Sequence, residues 1–325
     1  MGTKEALLTL LEAEKGTYFS GEELAEKLSL SRTAVWKAVN SLRGEGYAID
    51  AVRNKGYRLA ERTDILSAQG IRKYLQPVCA GLELAVLPEV GSTNAVVREK
   101  AMAGAPEGCV VIAASQTDGR GRVGRRFFSP AGTGIYMSLL LRPPHASPRQ
   151  AVKLTTMAAV AACEAIEAVS GEQAQIKWVN DIFVAGKKVS GILTEASFGL
   201  EDGFLEYAVL GIGINAYPPP GGFPEGLEGI AGAVFRQPRD DGKNRLAAGF
   251  LNRFMACYSA PEKSGYAGRY RSRSLVIGRE IQVLSPGRSQ KAVALDVDEE
   301  CRLIVQYPDG RVESLSSGEI SVRLS

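Results

Sequence analysis

The run Gly119-Arg-Gly-Arg-Val-Gly-Arg-Arg126, continued by Phe127-Phe-Ser-Pro-Ala-Gly-Thr-Gly-Ile-Tyr136, formally satisfies the GxGxxG dinucleotide fingerprint. That fingerprint would imply a doubly wound parallel sheet. An apolar strand over residues 109–115 does precede it. On its C-terminal side, however, stand a turn and a second strand at 134–141 rather than a helix. No acidic residue stands about 20 positions on to hold a ribose. The parallel dinucleotide fold is therefore set aside. Working outward, further strands are expected at 82–87, 174–178, 181–184, 189–197 and 207–215, with helices at 94–103, 150–169 and 244–258. Strands outnumber helices and are joined by short turns such as Ala185-Gly-Lys, so a mixed sheet with helices on one side is expected. Helix 150–169 is apolar on most sides and should be buried. Residues 217–234, rich in Pro and Gly, read as a mobile loop.

Both flanks change character. At the N-terminus, helical spacing over 3–13, a Ser20-Gly-Glu-Glu23 capping box opening 21–28, and a Ser31-capped helix over 32–43 precede a hairpin of 47–52 and 57–59. That order is the winged helix-turn-helix plan. Residues 1–30 carry 3 Lys/Arg against 6 Asp/Glu, whereas 31–60 carry 6 against 2. The basic second half, with Arg32, Lys37, Arg43, Arg53, Lys55 and Arg58, suits phosphate contacts. Base edges would be read from Arg32, Thr33, Trp36, Lys37 and Asn40 on the outer face of the third helix. After residue 271, short strands at 280–284, 291–297, 303–307, 311–314 and 320–324 suggest a small SH3-like barrel. The fold class is thus α+β multidomain, divided as a winged helix over 1–62, a mixed-sheet domain over 63–271 and a barrel over 272–325.

Composition narrows the chemistry. The chain has 325 residues, 45% hydrophobic and 23% charged, with net charge +3, so no global field points to nucleic acid or a membrane. Its single histidine, His145, sits in a proline loop and reads as exposed. A zinc site with several histidines is excluded, and a Ser-His-Asp triad is disfavoured. Cys79, Cys109, Cys163, Cys257 and Cys301 are isolated and never form CxxC, which fits buried thiols in a reducing cytoplasm. No apolar run reaches membrane-spanning length, and no secretory signal opens the chain.

Four motifs could carry chemistry. The arginines among the glycines of 119–126 suit a phosphate-bearing ligand, although the same charges also fit a solvated basic loop. Lys177-Trp-Val-Asn-Asp181 with Lys188 places two cations, an amide and a carboxylate together. Asn180 and Asp181 could orient magnesium or a ribose, and an exposed hairpin is the plain alternative. Gly91-Ser-Thr-Asn94 opens a helix, where Ser92 or Thr93 is a natural N-cap as well as a ligand donor. Gly211-Ile-Gly-Ile-Asn215 ends a strand, and its glycines suggest close backbone approach to a ligand. No Walker A motif occurs.

Taken in order, Ser92–Asn94, Gln116–Arg125, Lys177–Asp181, 186–193 and 211–215 resemble the motifs of bifunctional biotin–protein ligases, the biotin operon repressor family, over essentially the whole chain. The resemblance implies a catalytic domain of the biotin/lipoate ligase type. It implies that biotin and ATP, with Mg2+, form biotinyl-5′-AMP, whose acyl group passes to a lysine of the biotin carboxyl carrier protein of acetyl-CoA carboxylase or a related carboxylase. By the same resemblance Ser92, Thr93, Asn94, Gln116, Arg120, Gly121, Arg122 and Lys188 hold biotin. Arg122, Arg125, Phe127, Lys177, Asn180 and Asn215 meet the nucleotide, Asp181 the metal, and Lys188, Arg122 and Lys177 serve the chemistry. It further implies operator DNA of biotin genes, read through Arg32, Thr33, Trp36, Lys37, Asn40, Arg53 and Lys55, and an adenylate-bound homodimer. A ligase whose winged helix no longer represses is the alternative. A lipoate-type ligase lacks support without the histidine-aspartate pair of that class, and a pure ligand sensor would not need both lysines. Val179 stands where the family has proline, Phe127 where it commonly has tryptophan, and residues 294–301 lack a glycine-rich turn often seen there.

Overall fold

The computed structural model describes residues 2–144, 148–199, 203–285, 287–316 and 321–324. His145 and Ile320, an expected loop residue and strand residue, lie outside the described residues. The chain divides into two compact units, Met1–Leu75 with Gln237–Ala248, and Gln76–Arg236 with Gly249–Ser325.

The first unit holds α1 (Thr3–Ala13), α2 (Gly21–Lys27), α3 (Arg32–Gly44), an antiparallel hairpin of β1 (Ile49–Val52) and β2 (Gly56–Leu59), and a short α4 (Ala68–Arg72). The capping box forms as expected: the Ser20 hydroxyl accepts from the Glu23 amide at 3.1 Å, and the Glu23 carboxylate accepts from the Ser20 amide at 2.6 Å. Ser31 caps α3 by accepting from the Ala34 amide at 3.1 Å. Leu7, Leu11, Leu24, Val35, Val39, Leu42 and Leu59 are wholly buried and knit the helices to the hairpin. Gly56, at φ +93°, admits the α1–α2 connector to the wing, since a Cβ there would stand 2.0 Å from the Phe19 carbonyl oxygen. Phe19 and Tyr57 then exchange both backbone hydrogen bonds, at 2.8 and 2.9 Å.

An ion cluster invisible in the sequence explains why residues 237–248 join this unit. The Asp241 carboxylate, 1% exposed, accepts from Lys15 at 2.5 Å, Lys73 at 2.6 Å and the Tyr74 hydroxyl at 2.6 Å. Lys73 also reaches Glu12 at 3.0 Å. Burial works to raise the Asp241 pKa, but the hydrogen bonds from Lys15, Lys73 and Tyr74 prevail and hold it at about 2. Asn244 adds three bonds, donating to the Ile65 carbonyl at 2.9 Å and to Asp241 at 3.4 Å, and accepting from the Ser67 amide at 3.1 Å.

The second unit is built on a seven-stranded sheet. Its elements are β3 (Glu83–Leu87), α5 (Thr93–Met102), β4 (Cys109–Ala113), β5 (Gly134–Leu141), α6 (Pro148–Ser170), β6 (Ala174–Lys177), β7 (Asp181–Val184), β8 (Lys187–Phe198), β9 (Leu205–Asn215), the part of α7 (Gly242–Ser259) after Ala248, α8 (Pro261–Ser264) and α9 (Tyr266–Ser272). The strand order is β3-β4-β5-β9-β8-β7-β6, with β3 and β4 parallel and every other pair antiparallel, so the mixed sheet is present. The helices are not on one side of it. Asn94 of α5 lies against Gly211, whereas Thr155 of α6 bonds Thr194 at 2.7 Å. Leu193 pairs with Gly211 and Thr194 with Leu210, so these contacts fall on opposite faces of the sheet. Covering both faces is also why all eight residues of β5 are buried.

A separate five-stranded antiparallel sheet comes next in the SH3-like arrangement, from β10 (Glu280–Ser285), β11 (Arg288–Val297), β12 (Leu303–Gln306), β13 (Val312–Leu315) and β14 (Ser321–Leu324), in the order β13-β12-β11-β10-β14. Where glycines are missing from the β11–β12 turn, Cys301 takes the left-handed conformation at φ +58°.

Candidate active site

One face of the large sheet carries a cleft of about 280 Å³. Its polar end is assembled by the N-terminus of α5 and by Gln116 in the segment that follows β4. The Gln116 side-chain oxygen accepts from the Thr93 amide at 2.9 Å and from the Thr93 hydroxyl at 3.1 Å, and its nitrogen donates to Ser129 at 3.0 Å. Ser138 of β5 places its hydroxyl 2.6 Å from the Asn94 oxygen and 2.7 Å from the Thr93 hydroxyl. Asn94 donates to Glu195 at 2.6 Å. Ser138, Ser129 and Glu195 were not singled out by sequence, because each sits in an ordinary strand or loop pattern. Ser92 occupies the N-cap position without making the cap hydrogen bond, so its hydroxyl is available to the cleft.

The other end is cationic. Arg120, Arg122, Arg125, Arg126, Lys177 and Lys188 line it, with Asp181 as the acidic side chain among the described lining residues. The 119–126 segment is a hairpin tip: Arg120 and Arg126 form a bridge, Gly121 donates to the Arg125 carbonyl at 2.7 Å, and Val123 and Gly124 turn the chain at φ +54° and +69°. Arg122 leans over Asn180 at 3.4 Å; burial lowers its pKa and nearby Asp181 opposes that. Lys188 pairs with Asp181 at 2.6 Å. Asn180 is itself held by donating to the Ile192 carbonyl at 2.8 Å.

The turn carrying Lys177, Asn180 and Asp181 is braced from behind. Trp178 donates its indole N–H to the Cys301 carbonyl at 3.0 Å, and the buried Tyr270 hydroxyl donates to the Val179 carbonyl at 3.0 Å. Ile176 exchanges backbone bonds with Arg273 and Leu275 at 2.7 and 2.8 Å. The Trp178–Val179 peptide is cis.

One expectation changes. The strand glycines make room for protein side chains: a Cβ on Gly211 would stand 2.1 Å from the Asn94 oxygen, and one on Gly213 2.5 Å from the Phe127 ring. Phe127 thus lies on the glycine floor, edge-on to Tyr136 with ring centroids 6.3 Å apart. Asn215 is not brought into the cleft; its amide donates to the Gly232 carbonyl at 3.0 Å. It anchors the 217–234 loop, which is tied further where Lys188 and Ile230, and Gly232 and Lys188, bond backbone to backbone at 2.8 Å each. Leu227 and Ile230 of that loop line the cleft. No group of three or more His, Cys, Asp or Glu able to hold a metal occurs among the described residues. A single carboxylate beside cations suits a magnesium ion carried by substrate phosphates, not a protein-caged one.

In the first unit Arg32, Thr33, Trp36, Lys37, Asn40, Arg53 and Lys55 are all exposed. Two of the expected phosphate contacts are spent internally. Arg43 donates to the Ile49 carbonyl at 2.6 and 2.9 Å, and Arg58 pairs with Asp50 at 2.5 Å.

Residues 86–215 match the biotin/lipoate A/B protein ligase family, residues 3–58 an HTH domain, and residues 276–323 the biotin protein ligase C terminal domain. The bifunctional ligase/repressor BirA of Bacillus subtilis is 35% identical, over 98% of this chain and 98% of its own length. Its namesake in Escherichia coli is 29% identical, over 95% and 94%. Among solved structures, the biotin protein ligase from Aquifex aeolicus in complex with biotin and ATP aligns with TM-score 0.64 and 26% identity, covering 75% of this chain and 99% of that one. The chain belongs to the biotin–protein ligase family, in its bifunctional ligase/repressor form. No described helix is long and apolar enough to cross a membrane.

Proposed function

We propose that the chain adenylates biotin with ATP, passes the biotinyl group to a lysine of a biotin carboxyl carrier protein, and represses biotin genes through its winged helix. The observation that carries the ligase half is the two-ended cleft: uncharged donors and acceptors at Ser92, Thr93, Asn94 and Gln116, then six cations around one carboxylate. Biotin has an uncharged ureido head and an anionic tail, and ATP is a polyanion, so the two substrates meet tail to phosphate where the cations converge. The network through Gln116, Ser138 and Glu195 fixes the polar end before a ligand arrives, which lowers the ordering cost of binding.

Lys188 and Arg122 face the carboxylate and α-phosphate, where charge accumulates as the anhydride forms and pyrophosphate leaves. Such donors act on charge that develops in the transition state. Lys177 supports the phosphates, Arg120 and Gly121 hold the biotin side of the loop, and Arg125 and Phe127 meet the nucleotide. Asn215 acts on the nucleotide through the loop it anchors. Asp181 would be the protein carboxylate facing a Mg2+ ion carried by the ATP phosphates, and such an ion would supply charge neutralisation there. Leu227 and Ile230 exclude water from the acyl-adenylate, which would otherwise hydrolyse.

The functional division is a winged helix over 1–62, a catalytic part over 63–271 and a barrel over 272–325. Arg32, Thr33, Trp36, Lys37, Asn40, Arg53 and Lys55 form the operator-facing surface of an adenylate-bound homodimer. Five unpaired, buried cysteines support a cytoplasmic setting. Incubation with biotin, ATP, Mg2+ and a carrier domain tests the ligase directly: the carrier should gain the mass of one biotinyl group. An unmodified carrier with active controls would refute it.

A further inference from the structure

The outer side of α3 presents Arg32, Thr33, Trp36, Lys37 and Asn40, all exposed, opposite the buried Val35, Ala38, Val39 and Leu42. Four of these five are small or flexible polar or charged side chains, whereas Trp36 is a broad apolar ring with one N–H donor. Trp36 does not fit that pattern. The residue is 56% exposed and takes no part in the helical core. A single exposed apolar side chain is ordinary on a protein surface, and Trp36 stands out for its setting: it offers apolar area that a partner docking on α3 would bury. The surroundings specify that partner's charge. Arg32 and Lys37 flank Trp36, and Arg53 and Lys55 of the wing stand exposed on the same unit, while Arg43 and Arg58 are satisfied internally. The partner therefore carries negative charge around an apolar spot. The major groove of duplex DNA has that composition: phosphates line its edges, and the one apolar group on its base edges is the thymine C5-methyl.

We infer that Trp36 is a specificity-determining residue that covers thymine methyl groups in the major groove, so that the protein distinguishes thymine from bases lacking the methyl at those positions. The inference rests on the DNA-binding half of the proposed function and adds what that half reads.

The test begins with the full-length protein, supplied with biotin, ATP and Mg2+, enriching sites from random duplex DNA. Each thymine of the enriched site is then replaced by uracil, which removes only the methyl. Binding is measured by fluorescence anisotropy for the wild type, Trp36→Ala and Lys37→Ala. Thermal melting checks that each variant is folded, as substitution of exposed side chains should leave it. In the wild type, uracil at one or two positions per half-site should weaken binding about fourfold, the effect of moving one methyl from water to an apolar surface. Trp36→Ala should lose that penalty at those positions, whereas Lys37→Ala should bind more weakly throughout yet keep it. A uracil penalty equal in wild type and Trp36→Ala, or no penalty at any position, overturns the inference while leaving DNA binding intact. Failure to enrich any sequence overturns it together with the DNA-binding half.

Discussion

At the scale of single residues, the site depends on a few close approaches. Lys188→Ala should slow pyrophosphate release with biotin and ATP by ~10²–10³-fold, the usual loss for one donor aimed at developing charge. The folded state should change little, because Lys188 is partly exposed and its bond to Asp181 is screened. A rate within a few-fold of wild type would remove Lys188 from the chemistry. Gly211→Ala tests the polar end. Its new methyl would meet the Asn94 oxygen, and overpacking of this kind costs ~1–3 kcal/mol. Asn94 should be pushed off Glu195 and Ser138, and calorimetric titration should find biotin binding weakened tenfold or more. Unchanged affinity would mean that the network does not set the polar end.

At the scale of elements, the turn between β6 and β7 owes its position to segments far along the chain. Tyr270→Phe removes the hydroxyl that reaches the Val179 carbonyl and leaves the ring packed. A buried carbonyl without its donor costs ~1–3 kcal/mol, so the melting temperature should fall. A positioning role predicts more than that. The catalytic efficiency toward ATP should drop, while the biotin dissociation constant stays unchanged, because Thr93 and Gln116 belong to other elements. A lower melting temperature with normal kinetics would assign Tyr270 to stability alone. The helices α8 and α9, which frame this region, are not legible in sequence because four and seven residues are too few to display a helical period and neither has a side-chain cap such as the one that marks the seven-residue α2.

At the scale of the whole molecule, the ion cluster of the first unit should make stability depend on acid. Asp241 sits at about 2 against an ordinary value of 3.8. A depressed folded-state pKa gives stability that is full above the unfolded value and is lost as pH falls through the folded one. The shift of nearly two units corresponds to about 2 kcal/mol, lost between about pH 4 and pH 2. Urea unfolding at pH 7 and pH 3 should therefore show a smaller pH effect in Asp241→Asn than in wild type, with the variant less stable at pH 7. Equal pH dependence would show that the cluster contributes no linked stability. If the proposed adenylate-bound homodimer forms, operator binding should tighten when biotin and ATP are supplied together, since a dimer and a two-fold DNA site favour one another. With Arg43 and Arg58 occupied, four cations per protomer remain, so the logarithmic salt slope should be roughly −4 per protomer, not the −5 to −6 that six contacts would give. A gel-shift series with and without both ligands, over a range of salt, measures both; equal affinity in the two conditions would remove the switch.

The sequence by itself determined the parts whose signals are local. Capping residues, helical spacing in the first 44 residues, alternating strands and the order of five short motifs reported the winged helix, the mixed sheet, the small barrel and the ligase family. These signals survive because caps and periodicities act over a few residues. Tertiary structure decided the rest, since it pairs residues that no local pattern connects. It put α5 and α6 on opposite faces of the sheet, filled the strand glycines with Asn94 and Phe127, and tied the Asn215 amide to the 217–234 loop. It also brought Asp241 to Lys15, across 226 positions of chain, and Trp178 to Cys301, across 123. Whether a polar side chain faces a ligand or another part of the protein depends on what lies opposite it in space, and the register of the sheet settles that only after the chain has folded.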